Sequence, residues 1–245
     1  ATVIINTDGT VGVITQTALS TPTLGSAVVY NTGNSPYSAA IFDPINNKVV
    51  IAYPDYGNSQ YVTAIVGTVS GNTISFGSEV VAASTSSSYV SAAYDSTNDK
   101  VVIAYRDDGN SGHGTAIVGT VSGTSISFGS ATVFESASTE WTSTAYDSSN
   151  QRIVIAYQDK GNSNHGTAVV GTVSGTSISF GSPVVFESAQ TEYISATFDS
   201  TNGKVVITYN DDGNSGSGTA IVGTVSGTSI SFGSESVFNS GQSVS

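Results

Sequence analysis

Apolar residues come in short bursts separated by clusters of Gly, Ser, Asn and Asp, and the bursts recur at one fixed interval. The string VVIAY begins at Val49 and again at Val101, IVIAY at Ile153 and VVITY at Val205, each step being 52 residues. The Phe-Gly-Ser triplets at Phe76, Phe128, Phe180 and Phe232 keep the same step, and Leu24-Gly25-Ser26 stands one step earlier. A fixed period of this size with several apolar bursts per repeat is the mark of a repeat architecture. The chain divides into four full units, 37–88, 89–140, 141–192 and 193–244, with 1–36 as a degenerate fifth.

Within a unit the pattern predicts four strands, here named a to d on the second unit. Strand a is Tyr89–Tyr94, b is Lys100–Arg106, c is Thr115–Val121, and d is Thr124–Phe134, bent near Gly129. β-Branched and aromatic residues dominate these runs, and no 3.6-residue stripe suggests a helix. The a–b cluster DSTND and the c–d pair Ser122-Gly123 read as turns. Strand b is apolar at consecutive positions, so both of its faces must be covered. A four-stranded unit of this kind buries itself only against neighbours. The expected fold is therefore all-β, a five-bladed β-propeller formed as one domain over 1–245, with an open β-repeat array as the alternative. In the first piece, strands b, c and d are expected at Thr2–Asn6, Val11–Thr17 and Thr21–Tyr30, strand a being missing; Ser243–Ser245 is a candidate to complete that unit.

Antiparallel strands send the b–c and d–a connections to one end of the ring, and these carry the candidate chemistry. The b–c loops repeat Asp-x-Gly-Asn-Ser, with Asp107 and Asn110, Asp159 and Asn162, Asp211 and Asn214, and two of them end at His113 and His165. The d–a connections end in an aromatic slot filled by Tyr37, Tyr89, Trp141 and Tyr193, preceded by Glu140 and Glu192 in the last two. An aromatic plate beside carboxylates and amides suits a sugar, whose apolar face stacks while its hydroxyls find fixed polar partners. Repetition would make such sites multivalent. The same Asp and Asn residues also suit loops that bond to their own backbone, and the aromatics also suit packing between units. Asp43, Asp95, Asp147 and Asp199, at the other end, read as turn formers.

Charge narrows the partners. There are 18 acidic against 6 basic residues, a formal net charge of −12, which disfavours phosphate backbones and anionic membranes. No run of apolar residues is long enough for a membrane-spanning helix. Calcium is the one cation to consider, at Asp107-Asp108 and Asp211-Asp212, although Tyr56 and Lys160 replace the second Asp elsewhere and no cofactor is expected. Without Cys there is neither a disulfide nor a thiolate metal site. With no Met and Ala at position 1, the sequence is expected to be processed or cut from a longer chain. Near-identical units lack the unlike carboxylate pair that glycoside hydrolysis needs, and no Gly-x-Ser-x-Gly elbow is present, so the chain is not expected to be an enzyme.

The four-strand repeat resembles that of the five-bladed propeller lectins of the tachylectin-2 type, and repeats of secreted or particle-borne proteins of microbes and phages. The first resemblance implies one sugar site per unit and lies in the repeat architecture, with no binding residue carried over. The expected function is multivalent glycan binding or adhesion at an extracellular, cell or virion surface. The alternative is a structural or self-assembling protein of such a particle with no small ligand.

Overall fold

The computed structural model describes residues 2–5, 11–14 and 25–242. Strands β1 (Thr2–Ile5) and β2 (Val11–Ile14) pair as an antiparallel hairpin. The first full unit holds β3 (Ala39–Asp43), β4 (Lys48–Asp55), β5 (Tyr61–Ser70) and β6 (Thr73–Phe76). A long strand, β7 (Val80–Asp95), leads into the second unit of β8 (Lys100–Asp107), β9 (His113–Ser122) and β10 (Ser125–Phe128). β11 (Thr132–Asp147), β12 (Arg152–Asp159), β13 (His165–Ser174) and β14 (Ser177–Phe180) follow. β15 (Val184–Asp199), β16 (Lys204–Asp211), β17 (Ser217–Ser226), β18 (Ser229–Phe232) and β19 (Ser236–Gln242) complete the order.

The protein is all-β and antiparallel throughout its described residues. Each b strand pairs with the a strand before it and the c strand after it; β12, for example, lies between β11 and β13. The far edge of each c strand is shared by two partners. β9 pairs with β10 over Gly119–Ser122 and with the start of β11 over His113–Ala116. At the ends of the series β3 pairs only with β4 and β19 only with β17, so among the described residues the hydrogen-bonded ladder is open.

Two expectations need correction. Strand d is not one bent strand but two, interrupted between Phe128 and Thr132, where Gly129 donates its N–H to Val118 O at 2.9 Å. A side chain at Gly129 would run into the Thr176 carbonyl oxygen of the next unit, and Gly77 and Gly181 are placed likewise against Thr124 and Thr228. That approach explains the recurring Phe-Gly-Ser. Second, no loop separates d from the next a. β7, β11 and β15 each run for 16 residues across the unit boundaries drawn from the sequence. Between Thr132 and Asp147 there is no Gly, Pro or Asn to break the strand, and the change of direction is taken up by bulges instead. In the first piece, Gly25–Tyr30 is not a strand; Asn6, Thr15–Thr17, Thr21–Leu24 and Ser243–Ser245 lie outside the described residues.

The core lies between successive sheets. Val50, Val62 and Val66 of the first sheet pack with Ile103, Tyr105 and Ile117 of the second. Equivalent residues join the second sheet to the third and the third to the fourth. Tyr53, Tyr105 and Tyr157 are fully buried. Three of the four tyrosine hydroxyls in this column find a carboxylate: Tyr53 donates to Glu79 at 2.8 Å, Tyr157 to Glu135 at 3.1 Å and Tyr209 to Glu235 at 2.9 Å. Tyr105 has no such partner, because its unit places Ala131 where Glu79 and Glu235 stand. The a–b turns are built by Asp43, Asp95, Asp147 and Asp199, each accepting backbone N–H groups two and three residues on and an Asn amide at the third.

Candidate functional site

The long strands bring the candidate residues to one end of the units, as the strand alternation requires. Ser138 sits in register beside His113 on β9. Thr139 N–H donates to Gly112 O at 2.9 Å, Glu140 meets Arg106 at the end of β8, and Trp141 reaches Tyr89 on β7. Residues 138–141 thus cross the end of the second unit from its outer to its inner edge. At the inner edge, Trp141 and Thr142 oppose the single residue Tyr157, a bulge that β7 and β15 repeat.

Each bulge places its aromatic residue at positive φ: Tyr89 at 49°, Trp141 at 52° and Tyr193 at 51°, with Tyr37 at 56° in the equivalent place. Left-handed backbone costs a bulky residue about 1 kcal/mol or more. The rings offset it by stacking on one another. Tyr37 and Tyr89 have centroids 5.0 Å apart, Tyr89 and Trp141 5.3 Å, and Trp141 and Tyr193 4.3 Å. Such pairs contribute about 0.5–1.5 kcal/mol each beyond buried area. The four slots are therefore one continuous stack and not four free plates. Tyr89 and Trp141 are covered by neighbours on both sides, while the end rings, Tyr37 and Tyr193, stay 49% and 43% exposed. Burial, followed by the charge of Glu140, pushes the Tyr89 hydroxyl up to about 12.

The Asp-x-Gly-Asn-Ser loops are single 3-10 turns capped by their own aspartates. Asp55 accepts from Gly57 N–H, Asp107 from Asn110 N–H, Asp159 from Gly161 and Asn162 N–H, and Asp211 from Asn214 N–H. The serine takes the left-handed conformation each time, from 55° to 59°. Asp107 also accepts from the Thr85 hydroxyl of the preceding long strand. Asn110, Asn162 and Asn214 close these turns and are exposed. His113 and His165 are the first residues of β9 and β13, half-buried, in register with Asp107 and Asp159 on one side and with Ser138 and Gln190 on the other.

The corner residues differ between units. Glu140 is tied to Arg106 at 2.8 Å and faces Lys160 at 3.4 Å. Asp108, one of the calcium candidates, pairs with Arg106 at 2.7 Å and accepts from Ser88. Glu192 instead accepts from Gln190 Nε2 at 3.1 Å, and Gln190 Oε1 accepts from Asn164 Nδ2 at 3.2 Å. Asn164, Gln190 and Glu192 form a hydrogen-bonded row that ends at the residue before the exposed Tyr193. The parts played by Gln190 and Asn164 were not predicted, since only the pairing of β13 with β15 brings Asn164 to Gln190.

One group could hold a hard cation through oxygen ligands. Glu187, Asp211 and Glu235 each bring a carboxylate oxygen within 4.8 Å of the others. Asp212, paired with Asp211 in the sequence expectation, is not in this group. Burial, then the hydrogen bond with Glu235, pushes the Glu187 carboxyl up; burial, then the Glu235 charge, does the same to Asp211. Glu187 recurs as Glu135 and Glu235 as Glu79 in other units, but only the fold brings the two positions together beside Asp211.

No family model matches the chain, and no curated protein is detectably similar to it. Among solved structures it is similar to a leech intramolecular trans-sialidase described in complex with 2,7-anhydro-Neu5Ac. The two share 12% identity with a TM-score of 0.49, over 70% of this chain and 28% of the other, so this chain spans little more than a quarter of that protein's length.

Proposed function

We propose that this chain is a glycan-recognition module working at an extracellular, cell or virion surface, with its principal site at the open end of the aromatic stack. One observation carries the reading: Tyr193 offers a half-exposed ring, and the hydrogen-bonded row of Asn164, Gln190 and Glu192 ends at the residue before it in the strand. A sugar's C–H face stacks on such a ring, and fixed polar groups take its hydroxyls. Glu192 accepts from two adjacent hydroxyls, the Asn164 and Gln190 amides supply the remaining partners, and His165 flanks them. Tyr37, at the far end of the stack, is a second and poorer platform. Recognition in this reading needs neither catalysis nor calcium.

The finer architecture belongs to the same proposal. The four units and the N-terminal piece are five blades of a closed propeller. The 52-residue step, the face-to-face packing of successive four-stranded sheets and the crossing of each long strand over the end of its unit support it. A purely structural or assembly role is the second reading, favoured by the aspartates spent on capping their own loops and by the mutual stacking of the rings.

The test is a glycan array on the folded protein, with calcium and with chelator, followed by Tyr193→Ala on any ligand found. The expected outcome is binding in both conditions, weakened up to about tenfold by Tyr193→Ala, the worth of one stacking contact, while the melting temperature falls by only about 1–6 °C through the lost contact with Trp141. A folded protein silent on the array, or binding untouched by Tyr193→Ala, rejects the site.

A further inference from the structure

The near-identity of the units makes each a control for the others, and one face departs from the rest. Val66, Val118 and Val170 are fully buried, whereas Val222, the same position in the fourth unit, is 44% exposed. Phe134 and Phe186 are 7% and 8% exposed, and Phe238 is 66%. Ala64, Ala116 and Ala168 are fully buried, and Ala220 is not. The glycine sockets agree. Gly25, Gly77, Gly129 and Gly181 each lie against a carbonyl of the following unit, while among the described residues a side chain at Gly233 would meet nothing nearer than Val222 O at 3.8 Å. The fourth unit carries all the parts of an inter-unit interface on a face no full unit covers.

We infer that this face is the seat of the chain's own β1–β2 hairpin, an inference that rests on the ring reading above. The hairpin repeats the b–c pairing of a full unit. Ile4 opposite Gly12 and Val3 opposite Val13 match Ala52 opposite Ala64 and Ile51 opposite Ile65, with a b–c loop shortened by four residues. Its sequence is apolar at consecutive positions, Val3-Ile4-Ile5 on one strand and Val13-Ile14 on the other, the pattern of strands that need a cover on both faces. The segment that follows the hairpin is already placed as a unit's outer edge against the first unit. Gly25 lies on Asn72, and the Tyr30 ring packs edge-on against Tyr53 at 5.1 Å and Phe76 at 6.3 Å. Phe134 meets Tyr157 and Phe180 in the same way, at 5.2 and 5.6 Å. In the proposed seat the hairpin turns one side to the first unit and the other to the fourth. Being part of the same chain, it competes for that face at a high effective concentration.

Gly233→Ala, with Gly181→Ala as the reference, measures whether the socket is filled. The expected result is that both lower the melting temperature by about 4 °C or more, as overpacking in a protein of this size does. Phe238→Trp gives a readout independent of stability, the emission of the introduced indole shifting to the blue on a seated face. Solution scattering and light scattering across a range of concentrations complete the set, the expected particle being a compact monomer throughout. A compact monomer with Gly233→Ala harmless and a solvent-exposed indole emission from Phe238→Trp overturns this seat and the ring closure with it, and leaves the recognition reading at Tyr193 to its own array test. A particle that lengthens with concentration, with Gly233→Ala blocking its growth, overturns both, the face then belonging to a second copy's hairpin.

Discussion

Tyr105 offers a quantitative test of how the units are held together. It is the one tyrosine of its column without a carboxylate, and its hydroxyl is buried with no partner. Ala131 occupies the position of Glu79 and Glu235, whose carboxylates accept from Tyr53 and Tyr209 at 2.8 and 2.9 Å. Ala131→Glu therefore supplies the missing acceptor from a backbone already in the right place. A hydrogen bond to a charged acceptor contributes about 1.5–3 kcal/mol, and ordering a glutamate side chain costs about 1–2 kcal/mol. The net gain is about 1 kcal/mol, which raises the melting temperature of a chain this long by about 2–4 °C. Calorimetry of Ala131→Glu, Tyr105→Phe and the double variant measures it. The gain must vanish in the Tyr105→Phe background, and Tyr105→Phe alone must cost less than Tyr157→Phe, which strands Glu135. An equal rise with and without the Tyr105 hydroxyl, or no rise at all, refutes the reasoning.

Two further outcomes follow from buried polar groups. Asp159→Ala removes the acceptor for the Gly161 and Asn162 N–H groups and is expected to cost about 1–2 kcal/mol by thermal melting. Burial is the first cause holding the Tyr105, Tyr157 and Tyr209 hydroxyls above the ordinary tyrosine value of about 10. A folded value raised above the unfolded one contributes stability that is complete below about pH 10 and is lost as pH rises toward the folded value. Alkaline titration should therefore show these tyrosines ionising together with loss of circular dichroism, and a separate tyrosinate phase in the folded protein would contradict their burial.

The sequence alone determined the 52-residue recurrence and most of the strands, since β-branched runs punctuated by Gly, Asn and Asp leave an extended chain few alternatives. Strands b and c are observed as predicted to within two residues, and Asp43, Asp95, Asp147 and Asp199 form the turns expected of them. It also located the end of the units where the candidate residues gather, because alternation of antiparallel strands fixes which connections share a side. What those residues touch within the chain was decided only by tertiary structure. The Asp-x-Gly-Asn-Ser motif suits a ligand and a cap equally well as a string of letters; the backbone N–H groups of the 3-10 turn, aimed at the aspartate, decide for the cap. An aromatic in a strand reads as a free plate until the spacing between units is known, and ring contact from one unit to the next turns four plates into one stack with two open ends. The carboxylate partners of the buried tyrosines were illegible for a related reason. Glu79 and Glu235 follow their tyrosines by 26 residues and Glu135 precedes its own by 22, so no single spacing records all three, and only the folding of the strands around each ring brings them into contact.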